Sequence, residues 1–157
     1  MRITSEQEML DFGKSLARRV TARQKNPLAP VVIELIGDVG AGKTNFTRCL
    51  AEGLGIKDPI TSPSFTISKS YALENGGRLI HYDFYRLQDP GLMTEDLTEN
   101  LTNPKNIIVI EWGGSIEDFL PDDRNIIRIN YDETGDRNLF FEESKTWASA
   151  QERSREK

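Results

Sequence analysis

The 157-residue sequence predicts an α/β fold in which helices flank a sheet of mixed parallel and antiparallel strands. Two short apolar runs, Val31–Ile36 and Ile107–Ile110, are rich in β-branched residues and are typical of buried parallel strands. A glycine-rich segment follows the first run directly, and a helical pattern follows the glycines. Strands that alternate with helices favour a parallel sheet covered on its faces, and the chain length predicts one domain.

The N-terminal part predicts a helix, a strand and a second helix. Ser5 and Glu8 have the spacing of a capping box, and apolar residues follow at helical intervals at Met9, Phe12, Leu16 and Val20. Val31–Ile36 is the first buried strand. From Thr44 onwards the helical period resumes, with apolar residues at Phe46, Cys49, Leu50 and Leu54.

The rest of the chain predicts mainly strands. Segments 64–71 and 79–83 are expected to pair as a hairpin around the turn at 75–77, and 126–131 is expected to pair with 138–142. Between the pairs, the acidic stretch 91–103 predicts a short helix or a loop, and Ile107–Ile110 predicts a second buried strand that ends at Glu111. The domain is expected to span 1–143, with 144–157 a polar tail that is a frayed helix or disordered.

The composition excludes several classes of function. The chain has 20 Lys and Arg against 25 Asp and Glu, and a net charge of −5 argues against a dedicated nucleic-acid binder. We find no apolar stretch long enough to span a bilayer and no signal-peptide pattern, so we expect a cytoplasmic protein without membrane contact. One cysteine and one histidine are too few for a zinc cluster, so zinc is not expected.

The glycine-rich segment has the pattern of a phosphate-binding loop. Residues Gly37–Thr44 match the Walker A pattern G-x-x-x-x-G-K-[ST] between a predicted strand and a predicted helix. Glycines allow successive backbone N–H groups to surround a phosphate at the positive end of the helix dipole. Lys43 is expected to contact the β- and γ-phosphate oxygens, and the Thr44 hydroxyl is expected to coordinate Mg²⁺. This predicts a P-loop NTPase-type sheet that binds a nucleotide.

Two carboxylates follow predicted strands and are candidates to complete the site. Glu111 follows Ile107–Ile110, where a second magnesium ligand is expected; the alternative is a solvated strand end. Asp83 ends the preceding strand and is a candidate to orient the attacking water or to support the direct ligands of the metal; the alternative is an aspartate that caps a turn.

Three further side chains have both a functional and a structural interpretation. His81 lies on the same strand face as Asp83, so a role in the site is geometrically allowed, although a hydrogen-bonded structural histidine is favoured. Trp112 is either a wall of the nucleotide site or a packed aromatic. Cys49 lies on the apolar face of its helix and is interpreted as a packed residue.

Four motifs in a fixed order resemble one known family. They are Gly37–Thr44, Ser62–Thr66, His81–Leu87 and Ile110–Trp112. Together they resemble the TsaE family, also called YjeE, whose members are bacterial ATPases needed for threonylcarbamoyladenosine modification of tRNA. The resemblance implies a small α/β Mg²⁺-dependent ATPase that is weakly active alone and acts with the TsaB and TsaD subunits on the adenosine beside the anticodon. Contact with tRNA is then indirect, through those partners.

The resemblance also implies roles for individual residues. Thr44 and Glu111 hold Mg²⁺, and Lys43 and Asp83 are the catalytic residues. The segment with Ser62, Ser64 and Thr66 is similar to the family's switch-like loop near the γ-phosphate. Glu6 and Gly135 match positions on the base side of ATP. The nucleotide-binding residues expected in all are Gly40, Ala41, Gly42, Lys43, Thr44, Asn45, Glu6, Trp112 and Gly135. Asn45 stands where the family usually has a second threonine.

Two other functions remain open. A small-molecule kinase would transfer phosphate to a metabolite, but no arginine-rich lid is recognisable, and the Asn-Lys-x-Asp motif of GTPases is absent. A non-catalytic module would use the nucleotide only to order the loop at 62–66 for binding a partner.

Overall fold

The computed structural model describes residues 1–25, 27–38, 40–61, 63, 68–85 and 91–148. The helices in this part of the chain are α1 (Glu6–Arg23), α2 (Lys43–Gly53), α3 (Gly91–Asn100) and a 3₁₀ helix (Gly113–Phe119). The strands are β1 (Arg2–Ile3), β2 (Val31–Ile36), β3 (Ser68–Ala72), β4 (Arg78–Asp83), β5 (Ile107–Glu111), β6 (Asn125–Tyr131) and β7 (Arg137–Glu142). None of the helices described is long and apolar enough to cross a membrane.

The strands form one seven-stranded sheet in the order β1-β7-β6-β2-β5-β4-β3. At its centre β2 pairs in parallel with both β5 and β6, and β4 pairs in parallel with β5. The outer pairs β1–β7, β6–β7 and β3–β4 are antiparallel. This mixed sheet confirms the predicted fold class. Because β2, β4, β5 and β6 run in the same direction, their carboxyl ends meet at one edge of the sheet.

Helices cover both faces of the sheet. Helices α1 and α2 pack on one face, where residues such as Met9, Phe46 and Leu50 form a core with the inward side chains of β2, β5 and β6. A smaller core on the other face includes Leu97 of α3 and Ile116 of the 3₁₀ helix. The phosphate-loop helix α2 therefore packs against both α1 and the sheet.

The predicted elements are found in the structure with small changes. Helix α1 begins as expected, since the Ser5 hydroxyl accepts a hydrogen bond of 3.1 Å from the Glu8 amide. The Glu8 carboxylate accepts bonds from the amide and hydroxyl of Thr4, and these bonds lower its pKa. The predicted hairpins form as β3–β4 and β6–β7, and the segment predicted as helix or loop contains α3. Residues 64–67 of the first predicted strand lie outside the described residues.

The chain continues to pack after β7. Residues 145–148 form a helical turn, and the Trp147 indole is buried in the core that α1 covers. The guanidinium groups of Arg19 and Arg23 lie 5.1 and 5.2 Å from the ring centroid of Trp147. The domain end at residue 143 stays a prediction, and Trp147 is a core residue beyond it. Residues 149–157 of the predicted tail lie outside the described part.

Helices α1 and α2 approach closely through glycines. A Cβ atom added to Gly13 would lie 2.6 Å from the Cβ of Cys49 and 2.7 Å from its carbonyl carbon. A Cβ added to Gly53 would lie 2.6 Å from the Cβ of Ala17. Backbone and Cβ atoms cannot rotate away, so a side chain at either glycine would push the two helices apart.

We expect Gly13→Ala to lower the free energy of unfolding by about 1–2 kcal/mol, because overpacking outweighs the gain in helix propensity. Urea unfolding followed by circular dichroism measures this change. Gly114→Ala is the matched control, since no heavy atom lies within 4 Å of its added Cβ. The control should stay within about 0.5 kcal/mol of the parent protein. Equal stability of the two variants would show that the helices separate freely.

Candidate functional site

The phosphate loop joins the end of β2 to the start of α2. Gly40 and Gly42 adopt φ values of +81° and +104°, a region in which residues with a side chain are strained. Gly42 is the N-cap of α2, and its carbonyl accepts the amide of Phe46 at 2.9 Å. The amides of the first helical turn therefore have no partner within the helix and are free to bind an anion.

Lys43 is the cation of this loop. Its side chain is buried, its ammonium donates to the carbonyl of Gly37, and Nζ lies 4.0 Å from the ring centroid of Trp112. Burial lowers the pKa of the ammonium, while the nearby carboxylates of Glu111 and Asp83 oppose this shift. The structure thus brings together the lysine and the two carboxylates that the sequence analysis selected separately.

The two carboxylates end neighbouring strands. Asp83 of β4 and Glu111 of β5 are direct partners in the parallel register. Glu111 is 3% exposed, and its Oε2 is hydrogen-bonded to Nε2 of His81. The interpretation of Glu111 as a solvated strand end does not fit this burial. Its role as a magnesium ligand stays a prediction.

Asp83 is half-buried and has a structural contact as well. Its Oδ1 accepts the amide of Tyr85 at 2.9 Å, as expected of an aspartate that caps a turn. Burial raises its pKa; the bond from Tyr85 opposes this shift, and the nearby negative charge of Glu111 adds to it. The turn-capping contact and a position facing Lys43 are both present, so the two interpretations of Asp83 are compatible.

Trp112 forms one wall of a cavity beside the loop. It is the one residue other than glycine with a positive φ, 58°, in the described part of the chain. Its ring lies 4.8 Å from that of Tyr85, centroid to centroid. The cavity has a volume of about 530 Å³, and its lining includes Asp38, Lys43 and Arg124. The indole therefore contacts the loop lysine and also packs against the smaller core, so both interpretations of Trp112 have a contact that supports them.

A second cavity, of about 340 Å³, lies between the start of α1 and the β6–β7 turn and is lined by both Glu6 and Gly135. Asn45 Nδ2 donates to the Glu6 carboxylate at 3.0 Å, which joins the start of α1 to the phosphate-loop helix. The structure thus places Glu6 and Gly135, two of the expected nucleotide-binding residues that lie far apart in sequence, around one space, and Asn45 is hydrogen-bonded to Glu6.

Tyr131 and Arg137 also line this cavity, and the sequence alone predicted no role for either of them. The hydroxyl of Tyr131 donates to the Gly40 carbonyl at 2.5 Å, and the guanidinium of Arg137 packs on Gly42, where an added Cβ would lie 3.2 Å from Cζ. The Tyr131 contact joins residues 91 positions apart, so no local spacing could have pointed to it. These contacts hold the phosphate loop against the β6–β7 turn.

The oxygen donors near the loop fit magnesium bound together with a nucleotide. Thr44 lies in the first turn of α2. Glu111 supplies a carboxylate at the end of β5, the strand that pairs with β2. Within the described residues, no group of three or more His, Cys, Asp or Glu side chains could hold a metal ion alone. Mg²⁺ is usually held by one or two protein oxygens with phosphates and water, so this donor set is sufficient. The predicted switch-like residues Ser62, Ser64 and Thr66 lie outside the described part of the chain.

Comparison with known families decides the membership of the chain. A family model described as "Threonylcarbamoyl adenosine biosynthesis protein TsaE" matches residues 3–139. The chain belongs to the TsaE family. The match covers both the phosphate loop and the two carboxylates, and it confirms the resemblance inferred from the four motifs.

Individual relatives agree with this assignment. A protein of Streptomyces coelicolor is 38% identical to this chain, and the match covers 78% of this chain and 78% of that protein. A protein of Haemophilus influenzae is 32% identical, and the match covers 82% of this chain and 80% of that protein. A protein of Bacillus subtilis is 41% identical, and the match covers 70% of this chain and 68% of that protein. All three carry the name "tRNA threonylcarbamoyladenosine biosynthesis protein TsaE".

A solved structure shares the fold. The crystal structure of YdiB from Bacillus subtilis matches with a TM-score of 0.69 and 31% sequence identity. The match covers 99% of this chain and 93% of YdiB. The TsaE-family chain described here therefore has the α/β architecture of a known structure along almost its whole length.

Proposed function

We propose that the chain is an ATP-binding and ATP-hydrolysing subunit required for threonylcarbamoyladenosine modification of the adenosine next to the anticodon in tRNA. It is proposed to act with the TsaB–TsaD complex in the cytoplasm. Membership of the TsaE family supports the pathway, since the relatives are named for this biosynthesis. The net charge of −5 is consistent with tRNA contacts that belong to the partners.

One observation carries the enzymatic part of the proposal. Lys43, on the phosphate loop, lies near two carboxylates, Asp83 and Glu111, at the carboxyl ends of adjacent parallel strands. Nucleotide hydrolysis needs a cation for the phosphates, a carboxylate for the metal and a group that orients water. A binding module without catalysis would need the cation and the metal carboxylate but not the group that orients water.

Each residue then has a role. The loop amides from Gly40 to Thr44 bind phosphate oxygens, and Lys43 leaves the Gly37 carbonyl to contact the β- and γ-phosphates. Thr44 and Glu111 would hold Mg²⁺, which supplies positive charge that neutralises the phosphate oxygens. Asp83 orients the attacking water and accepts its proton, helped by a pKa that burial raises.

The cavity between α1 and the β6–β7 turn is proposed to receive the base side of ATP. Glu6 and Gly135 line it, Asn45 is hydrogen-bonded to Glu6, and Gly135 adopts a positive φ of 88° in the β6–β7 turn. Trp112 lines the larger cavity next to Lys43 and is proposed to close the site above Lys43.

The proposal is tested by measuring ATP hydrolysis with Mg²⁺, first by the purified chain and then with the TsaB–TsaD pair added. We expect slow turnover alone, formation of a ternary complex, and changed turnover in that complex. Phosphate transfer to an added metabolite would instead support a kinase. Complex formation without hydrolysis would support a non-catalytic module, and absence of both binding and partner-dependent turnover would contradict the proposal.

Glu111→Ala is expected to weaken the magnesium dependence of nucleotide binding by at least about tenfold, because a metal carboxylate is lost. Titration of a fluorescent, non-hydrolysable ATP analogue with and without Mg²⁺ measures this dependence. Glu99→Ala, an exposed position on α3, is the control and should behave as the parent protein. Unchanged magnesium dependence in Glu111→Ala would remove this residue from the metal site.

A further inference from the structure

His81 is a fully buried polar side chain to which the proposed function assigns no role. It lies in the middle of β4, is 0% exposed, and its Nε2 is hydrogen-bonded to Oε2 of Glu111. Its other ring nitrogen, Nδ1, is buried and has no partner among the described residues. A polar ring buried at this depth costs folding free energy unless its contacts compensate.

The strand register explains how the two side chains meet. His81 and Asp83 lie on the same face of β4, because alternate residues of a strand share a face. In the parallel pairing, His81 lies opposite Val109 and Asp83 opposite Glu111. Glu111 therefore has Asp83 beside it at the open edge and His81 one step deeper in the sheet.

The proposed metal role of Glu111 determines which group donates. A magnesium ligand is an ionised carboxylate, which only accepts hydrogen bonds, so in the proposed site Nε2 of His81 donates to Oε2. The hydrogen bond restricts rotation of the carboxylate and leaves Oε1 as the oxygen without this constraint.

We propose that His81 is a positioning residue, which holds Oε2 of Glu111 so that Oε1 is the oxygen available to Mg²⁺. This inference rests on the proposed function, in which Glu111 is a magnesium ligand. The carboxylate of Glu111 also attracts the ammonium of Lys43, since it opposes the lowering of the lysine pKa. An unconstrained Glu111 would turn toward Lys43 and compete with the phosphates for it.

The test compares two substitutions that differ in hydrogen bonding. His81→Leu keeps an apolar volume but has no donor, whereas His81→Gln places an amide N–H near the position of Nε2. Affinity for a fluorescent, non-hydrolysable ATP analogue is measured in EDTA and at increasing Mg²⁺. We expect His81→Leu to reduce the gain in affinity from Mg²⁺ by about 10-fold or more, as for other groups that orient metal ligands, and His81→Gln to restore most of it.

Controls separate positioning from packing. Tyr82→Phe alters a buried residue of the same strand, whose hydroxyl donates to Asp96 at 2.6 Å on the α3 side. It should lower stability without changing the gain in affinity from Mg²⁺. If His81→Leu does not fold, His81→Asn replaces it, because its amide is too short to reach Glu111 and should behave as the leucine variant.

The outcomes distinguish failure of this inference from failure of the proposed function. If Glu111→Ala loses magnesium dependence and the folded His81 variants all keep it, the positioning role is overturned while the metal site stands. If Glu111→Ala itself keeps magnesium dependence, the proposed metal site fails, and the positioning role fails with it. Equal loss in His81→Leu and His81→Gln, without rescue, would mean that the histidine acts through packing alone.

Discussion

Lys43→Ala is expected to abolish tight nucleotide binding and, with it, ATP hydrolysis. Lys43 begins α2 inside the phosphate loop, and its ammonium is already held there by the Gly37 carbonyl. A hydrogen bond from a charged donor contributes about 1.5–3 kcal/mol, and two phosphate oxygens are expected to accept one each. Loss of both contacts corresponds to at least about a 100-fold loss of affinity.

Calorimetric titration with ATP and Mg²⁺ measures this effect directly. Lys14→Ala is the matched control, because Lys14 lies on α1 with a side chain 43% exposed and a salt bridge of 3.9 Å to Glu52. The control should bind as the parent protein, and the unfolding curve of Lys43→Ala should show a folded domain. Parental affinity in folded Lys43→Ala would contradict the assignment of the phosphate loop.

The parts of the fold that could be predicted are those with a local pattern. The mostly apolar run of β2, the glycines after it and the helical period of α2 lie next to each other, so the loop and its helix follow from neighbouring residues. Burial on both faces explains why β2 and β5 are mostly apolar, with Glu34 the buried exception inside β2, and their parallel pairing confirms that interpretation.

The rest depends on contacts between distant residues. Strand β1 has two residues, Arg2 and Ile3, which is too short for an alternating pattern, and it exists because β7 supplies its hydrogen bonds. The 3₁₀ helix after β5 begins at a tryptophan with positive φ, which no propensity predicts. The contact of Tyr131 with Gly40 could likewise be seen only once the sheet had been assembled.

The same limit applies to the catalytic candidates. That Asp83 and Glu111 end strands is visible in the sequence, but their direct pairing depends on the register of β4 and β5. The sequence allowed His81 a place near Asp83 and could not reveal its bond to Glu111. Residue types and spacing identified Asp83, Glu111 and His81 as candidates, whereas the order and register of the strands determine which of these side chains lie next to each other.

Asp83→Asn is expected to retain nucleotide binding and to lose turnover. The asparagine Oδ1 can still accept the Tyr85 amide, so the turn after β4 is preserved. The variant cannot accept a proton from water, and loss of a general base typically lowers the rate by about 10²–10⁴-fold. Removing a negative charge near the phosphates should leave nucleotide affinity equal or slightly higher.

Single-turnover hydrolysis and nucleotide affinity are to be measured on the same preparation, with and without the TsaB–TsaD pair. Asp123→Asn is the matched control, because its carboxylate caps residues 145 and 146 at the opposite edge of the sheet, and turnover should be unchanged. Asp83→Ala removes the turn contact as well as the charge, so any extra loss of stability in it measures the capping role.

These variants decide between the two interpretations of Asp83. If the side chain only caps the turn, Asp83→Asn hydrolyses ATP at the parental rate and only Asp83→Ala is impaired, through stability. If the carboxylate orients and deprotonates water, both variants lose turnover to a similar extent while Asp83→Asn unfolds as the parent does. Modification of tRNA by the complete complex with Asp83→Asn adds the last distinction: full activity there would mean that binding of the nucleotide, rather than its hydrolysis, is what the partners require.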